Sequence, residues 1–117
     1  MKHVVELNGV KVYAYHGCLP EEALIGGHYR VDVSVTTDFS LATASDDLLH
    51  TVDYVQLNAI VKEEMAIRSR LIEHVGQRIV RRIRAEIAIV ERLKVKIVKI
   101  CPPINGDVDN VAIIIEE

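Results

Sequence analysis

From Arg92 to Gly106 the chain reads Arg-Leu-Lys-Val-Lys-Ile-Val-Lys-Ile-Cys-Pro-Pro-Ile-Asn-Gly. The first part alternates with period two, so Leu93, Val95, Ile97 and Lys99 fall on one face of a strand. Pro102-Pro103 then stops it, because proline fixes φ and cannot donate to a ladder. A lysine thus ends an aliphatic stripe beside a stiff loop. Desolvation there would favour a neutral amine, which can act as a base. The commoner arrangement for such a spacing is a lysine whose stem packs and whose amine reaches water.

Other runs share the two-residue period. Residues 3–15 alternate with a slip in parity between Leu7 and Val10, and Asn8-Gly9 between them predicts a bulge. In residues 29–39, Tyr29, Val31, Val33 and Val35 take one face. The link from His16 to Gly27 carries Pro20-Glu21-Glu22, a signature of a short helical turn. Leu41 to Val52 reads as polar and irregular. Asp53 and Gln56 have capping-box spacing before a helix with Leu57, Ile60, Val61 and Met65 inward. After a break at Arg68-Ser69-Arg70, a second helix runs from about Leu71 to Ile87, with Ile72, Val75, Ile79 and Ile83 inward. Its arginines, Arg78, Arg81, Arg82 and Arg84, read as a solvated or subunit-contacting face. Residues 92–101 and 109–116 are the last two strands.

The order strand, strand, helix, helix, strand, strand predicts an α+β fold. Two helices would cover one face of a four-stranded, mainly antiparallel sheet. With 117 residues, a single domain over 1–117 is expected. The last strand, Val111 to Ile115, is apolar on both faces, which predicts subunit association. Net charge is −3 and the arginine run has no interleaved aromatics, so neither nucleic acid nor an anionic membrane is an expected partner. No apolar run is long enough to span a bilayer, and Met1-Lys2-His3 leads straight into a strand pattern, so a cytoplasmic protein is expected. Cys18 and Cys101 do not make a disulfide framework.

The histidines, His3, His16, His28, His50 and His74, lack H-x-H and H-x-x-x-H spacing, and no Cys-x-x-Cys occurs, so no metal site is expected. There is no dinucleotide, P-loop or G-x-S-x-G motif, and no cofactor is expected. The unusual polar residues sit at element ends: Lys99, Glu73 in the first turn of the second helix, Tyr54 opening the first, and Glu22 in the long first link. Singly, each has a structural reading: a dipole-complementing acid, a half-buried aromatic, a solvated loop acid.

Together with their neighbours they resemble a known family. Tyr13-Ala-Tyr-His-Gly17, then Glu22 and Ile25-Gly26, Thr51-Val-Asp-Tyr54, Leu71-Ile-Glu-His74 and Lys99-Ile-Cys-Pro-Pro-Ile104 are similar in order and spacing to dihydroneopterin aldolases, from first strand to last. The resemblance implies the T-fold, in which ββααββ subunits join their sheets into a barrel as a tetramer ring, commonly stacked into an octamer. It implies retro-aldol cleavage of 7,8-dihydroneopterin in folate biosynthesis without metal or Schiff base, with epimerisation at C2′ as a side reaction. It implies Glu73 as the carboxylate that accepts from the pterin's amide and amino groups. Lys99 is implied as the catalytic lysine, Glu22 as its acidic partner, and Tyr54 as a tyrosine offered across the subunit interface. Val52, Asp53, Leu71 and Ile72 match pocket-lining positions. Asp53 stands where some members carry His, and Arg70 where some carry Asn, at the pocket rim. Two other readings stay open: an epimerase of the same fold acting on dihydroneopterin or its triphosphate, with Arg68 and Arg70 as phosphate cations, and a non-catalytic pterin-binding module.

Overall fold

The computed structural model describes residues 2–117. Four strands, β1 (His3–Ala14), β2 (Gly27–Thr37), β3 (Arg92–Ile100) and β4 (Asn110–Glu116), form one sheet in the order β1-β2-β3-β4. Every neighbouring pair is antiparallel. Four helices lie between strands: α1 (Pro20–Ile25), α2 (Ser40–Ser45), α3 (Tyr54–Met65) and α4 (Ile72–Glu86).

The parity slip in β1 is a bulge. Leu7 pairs with Val33 and Val10 with Val31, so Asn8 and Gly9 together face Asp32. Gly9 adopts a φ of 70°, and its N–H donates to Asp32 Oδ1 at 2.6 Å. The extra residue brings Val5 and Leu7 onto the same face as Val10 and Val12. That face meets the helices. Val31, Val33 and Val35 of β2 and Leu93, Val95 and Ile97 of β3 are buried there. So are Leu57, Ile60, Val61 and Met65 of α3 and Ile72, Val75, Ile79 and Ile83 of α4, as the helical spacing predicts. Burying such a side chain contributes roughly 1.5–3 kcal/mol, and this aliphatic layer fixes how α3 and α4 lie on the sheet.

Two expectations are corrected. Residues 41–52 are not irregular: they hold α2 and a 3₁₀ turn, Leu48–His50. Asp38 Oδ1 accepts from Ser40 N at 3.0 Å and starts α2. Asp46, in the left-handed region at a φ of 57°, ends it. Asp47 Oδ1 accepts from Leu49 N at 3.0 Å and caps the 3₁₀ turn. Turns this short show no periodicity, because a single turn has no second one with which to repeat.

The arginines of α4 do not form a plain solvated face either. Arg78 Nη2 donates to the carbonyls of Glu64 at 2.9 Å and Ile67 at 2.7 Å, completing the C-terminal end of α3. Arg82 reaches Glu63, Glu64 and Glu86. Arg84 Nη1 donates to the carbonyls of Val90 and Glu91, and its Nη2 to that of Glu117. Three of the four arginines therefore tie α4 to its own chain.

Candidate active site

Lys99 stands one step beyond the buried row of β3, opposite Tyr29 of β2 and Val111 of β4. Its stem continues the row and its amine leaves the core near the mouth of the fold. The amine is not bare. It makes an ion pair with Glu22 Oε2, with both side chains largely covered, donates to the His16 carbonyl at 3.3 Å and lies 6.0 Å from the centre of the Tyr29 ring. α1 supplies the amine with this carboxylate.

Glu22 is aimed by its helix. Pro20 opens α1, and Glu22 Oε1 accepts from the Leu19 N–H at 3.2 Å, leaving Oε2 for Lys99. Burial pushes the Glu22 carboxyl up. The Lys99 hydrogen bond, the Leu19 N–H and the positive charges of Lys99 and Arg68 outweigh it and hold the group below its ordinary 4.5. Tyr29 goes the other way: burial and the Glu22 charge raise its hydroxyl to about 12, so it stays protonated and donates to the His16 carbonyl at 2.7 Å.

Beside the pair opens a cleft of about 450 Å³, bordered by Glu22, Lys99, Leu71, Ile72 and Glu73, with Pro103 and Ile104 from the loop after β3. That is within the ~300–1,000 Å³ of small-ligand sites. A smaller hollow of about 190 Å³, bordered by His16, Tyr29 and Cys101, lies against the same two charged side chains. Apolar walls, an acid at Glu73 and an ammonium–carboxylate pair at Lys99 and Glu22 suit a flat heterocycle with polar edges. Among the described residues no group of three or more His, Cys, Asp or Glu side chains is placed to hold an ion.

Five of the eight residues named from the sequence therefore share one cleft. The other three do not line it. Val52 is buried, Asp53 caps α3 by accepting from Val55 N at 2.9 Å, and Tyr54 is 63% exposed on the surface. Of the two arginines considered for a phosphate, Arg70 borders the cleft, while Arg68 donates from Nε to the Tyr15 carbonyl at 2.9 Å and from Nη2 to that of Gly17 at 2.7 Å.

The sequence reading gave no role to His16, Tyr29 or Ser69, nor to Gly17. A signal for His16 exists, since Val10, Val12, Ala14 and His16 share the parity that faces the core. Its ring is 1% exposed. Burial lowers its pKa from 6.5, with the Arg78 and Lys99 charges adding to this against the Met65 and Ser69 backbone. Gly17 has a φ of 141°, and a Cβ there would overlap the Glu22 carboxylate. Gly17→Ala is expected to drive Glu22 from Lys99 and to lower kcat by about ten- to hundredfold, with a backbone cost of about 1–3 kcal/mol. Steady-state kinetics beside a melting curve check this; a folded variant with wild-type kcat would show that the glycine is not needed for the pair.

The comparisons agree in direction. A family model described as dihydroneopterin aldolase matches residues 5–116. The dihydroneopterin aldolase of Staphylococcus epidermidis is 40% identical over 114 residues, covering 97% of this chain and 94% of its own. A crystal structure of a putative dihydroneopterin aldolase from Vibrio cholerae superposes with a TM-score of 0.89 at 26% identity, over 98% of this chain and 96% of that one. The Escherichia coli dihydroneopterin aldolase, solved in complex with neopterin, gives the same TM-score of 0.89 at 22% identity, over 98% of each chain.

Proposed function

The chain belongs to the dihydroneopterin aldolase family, and from that membership we propose how its own residues carry out the reaction. It is an aldehyde-lyase of folate biosynthesis. Its substrate is 7,8-dihydroneopterin, and its products are 6-hydroxymethyl-7,8-dihydropterin and glycolaldehyde. The observation that carries the assignment of roles is the single cleft bordered by Glu22, Lys99 and Glu73.

Glu73 accepts hydrogen bonds from the ring amide and amino groups, a planar donor pair that a carboxylate meets with two oxygens. Leu71 and Ile72 form the wall the ring lies against. The 2′-hydroxyl then points toward Lys99. With its own proton first passed to Glu22, the neutral Lys99 amine takes the 2′-hydroxyl proton through one ordered water, so the pair works as one acceptor. The C2′ oxygen forms the aldehyde as the C1′–C2′ bond breaks, and the electron pair passes to the ring imine at N5. The substrate thus carries its own electron sink. An enamine remains, and protonation at C1′ completes the first product. Tyr54 from a neighbouring subunit serves that proton, again through water, and Val52 and Asp53 line the pocket from the same side. Re-addition of the enamine to the other face of the glycolaldehyde carbonyl inverts C2′, which supports a minor epimerase activity.

This arrangement needs more than one chain. Leu24, Leu49, Tyr54 and Val55 are exposed, as are Val111 and Ile114 on the edge strand β4. Pairing of open sheet edges into a ring of four subunits, or two such rings, covers them. Among the described residues no helix is long and apolar enough to cross a membrane, in keeping with a cytoplasmic enzyme. Purified protein mixed with 7,8-dihydroneopterin is expected to release glycolaldehyde at a rate that a chelator leaves unchanged. Binding of neopterin with no aldehyde formed would instead make the protein a pterin-binding module. Preference for the triphosphate would make it an epimerase relative.

A further inference from the structure

We propose that Arg68 and the ring of His16 form a clamp that fixes the spacing between the proton-transfer pair, Glu22 and Lys99, and the ring anchor, Glu73. This rests on the aldolase reading and adds positioning residues to it. Three successive carbonyls in the loop after β1 are all taken by side chains. Arg68 Nε donates to Tyr15 O at 2.9 Å, the Tyr29 hydroxyl and the Lys99 amine both donate to His16 O, at 2.7 and 3.3 Å, and Arg68 Nη2 donates to Gly17 O at 2.7 Å. The middle carbonyl is therefore a seat for the catalytic amine, held between two grips of one rigid guanidinium fork.

The same loop is tied to Ser69 in both directions. Ser69 N donates to His16 Nδ1 at 3.0 Å, and Gly17 N donates to Ser69 O at 3.1 Å. Ser69 is buried, and its hydroxyl is held in turn by Arg78 Nη1 and His74 Nδ1. From Ser69 the chain runs through Arg70 and Leu71, both lining the cleft, straight into the first turn of α4 and Glu73. One segment, 68–69, thus carries the seat of the amine on one side and the root of the anchor on the other. A protonated His16 ring could not accept from Ser69 N, and burial keeps that ring neutral. The bond at Nδ1 is maintained for this reason.

The test uses the full chain. Arg68→Ala is expected to lower kcat for dihydroneopterin cleavage by about ten- to hundredfold. Neopterin affinity should change by less than about threefold, because each half of the cleft survives and only their spacing relaxes. Added guanidinium ion should restore part of the rate, and Arg68→Lys, which can reach only one carbonyl, should fall between. His16→Asn keeps an acceptor near the position of Nδ1 and is expected to be about tenfold more active than His16→Leu. A folded Arg68→Ala enzyme with kcat within about twofold of wild type overturns the clamp, as does a rate loss that guanidinium leaves unmoved. If Arg68→Ala does not fold, equal activity of the two His16 variants overturns it. Wild-type protein that releases no glycolaldehyde would defeat the aldolase reading itself, a result distinct from an active wild type with an equally active variant.

Discussion

Lys99→Ala is expected to lower kcat for dihydroneopterin cleavage by about 10²- to 10⁴-fold, the range for loss of a general acid–base group, while neopterin affinity falls only modestly. The reason is where the amine sits. It borders the cleft, and its bonds run to Glu22 and the His16 carbonyl. Its value is therefore in moving a proton rather than in holding the ring. Stopped single-turnover cleavage with a parallel fluorescence titration separates the two quantities. Unchanged turnover removes Lys99 from the mechanism. The variant also removes the Lys99 hydrogen bond and charge that help hold the Glu22 carboxyl down. In the wild type the depressed Glu22 value means that the ion pair stabilises the fold above about 4.5, the group's ordinary value. This contribution is lost as pH falls through the lower folded value. Acid titration of the Lys99→Ala variant, which lacks the pair, should show that loss reduced.

Much of the fold was legible because β1, β2 and β3 repeat with period two and α3 and α4 with the helical period, and one face of each is buried. Even the bulge could be read, since Asn8-Gly9 separates two runs of opposite parity that must serve one core. What escaped the sequence was of two kinds. The first is short structure: α2 has no buried residue and is begun and ended by Asp38 and Asp46, so nothing periodic betrays it. The second is pairing at a distance. Glu22 and Lys99 are 77 residues apart, and Arg68 reaches back to Tyr15 and Gly17 over more than fifty. Residue types alone could mark Lys99 as unusual but not show that a carboxylate and a backbone carbonyl receive it. Tyr54, Asp53 and Val52 are a different case. Motif order points to them, yet they do not line the cleft of the single chain.

Glu73→Ala should divide the kinetic constants the opposite way. A carboxylate that accepts two hydrogen bonds from the ring loses roughly 2–5 kcal/mol of binding when truncated, since the partner donors are left without acceptors in the cleft. At about 1.4 kcal/mol per tenfold, that is about 30- to 3,000-fold in Kd for neopterin. Folding should tolerate the change. Glu73 is exposed in the first turn of α4, where an acid contributes about 0.3–1 kcal/mol through the helix dipole, and the buried face of α4 is untouched. Glu73→Gln sharpens the test. It preserves shape and length but turns one acceptor into a donor that meets the ring's own donors, so it should bind about as poorly as the alanine variant, unlike a residue that merely fills space. At saturating substrate either variant should recover much of its rate, because Lys99 and Glu22 remain in place. Neopterin affinity within about threefold of wild type would defeat the anchor role and require the donor edge of the ring to be met by another group on the cleft wall.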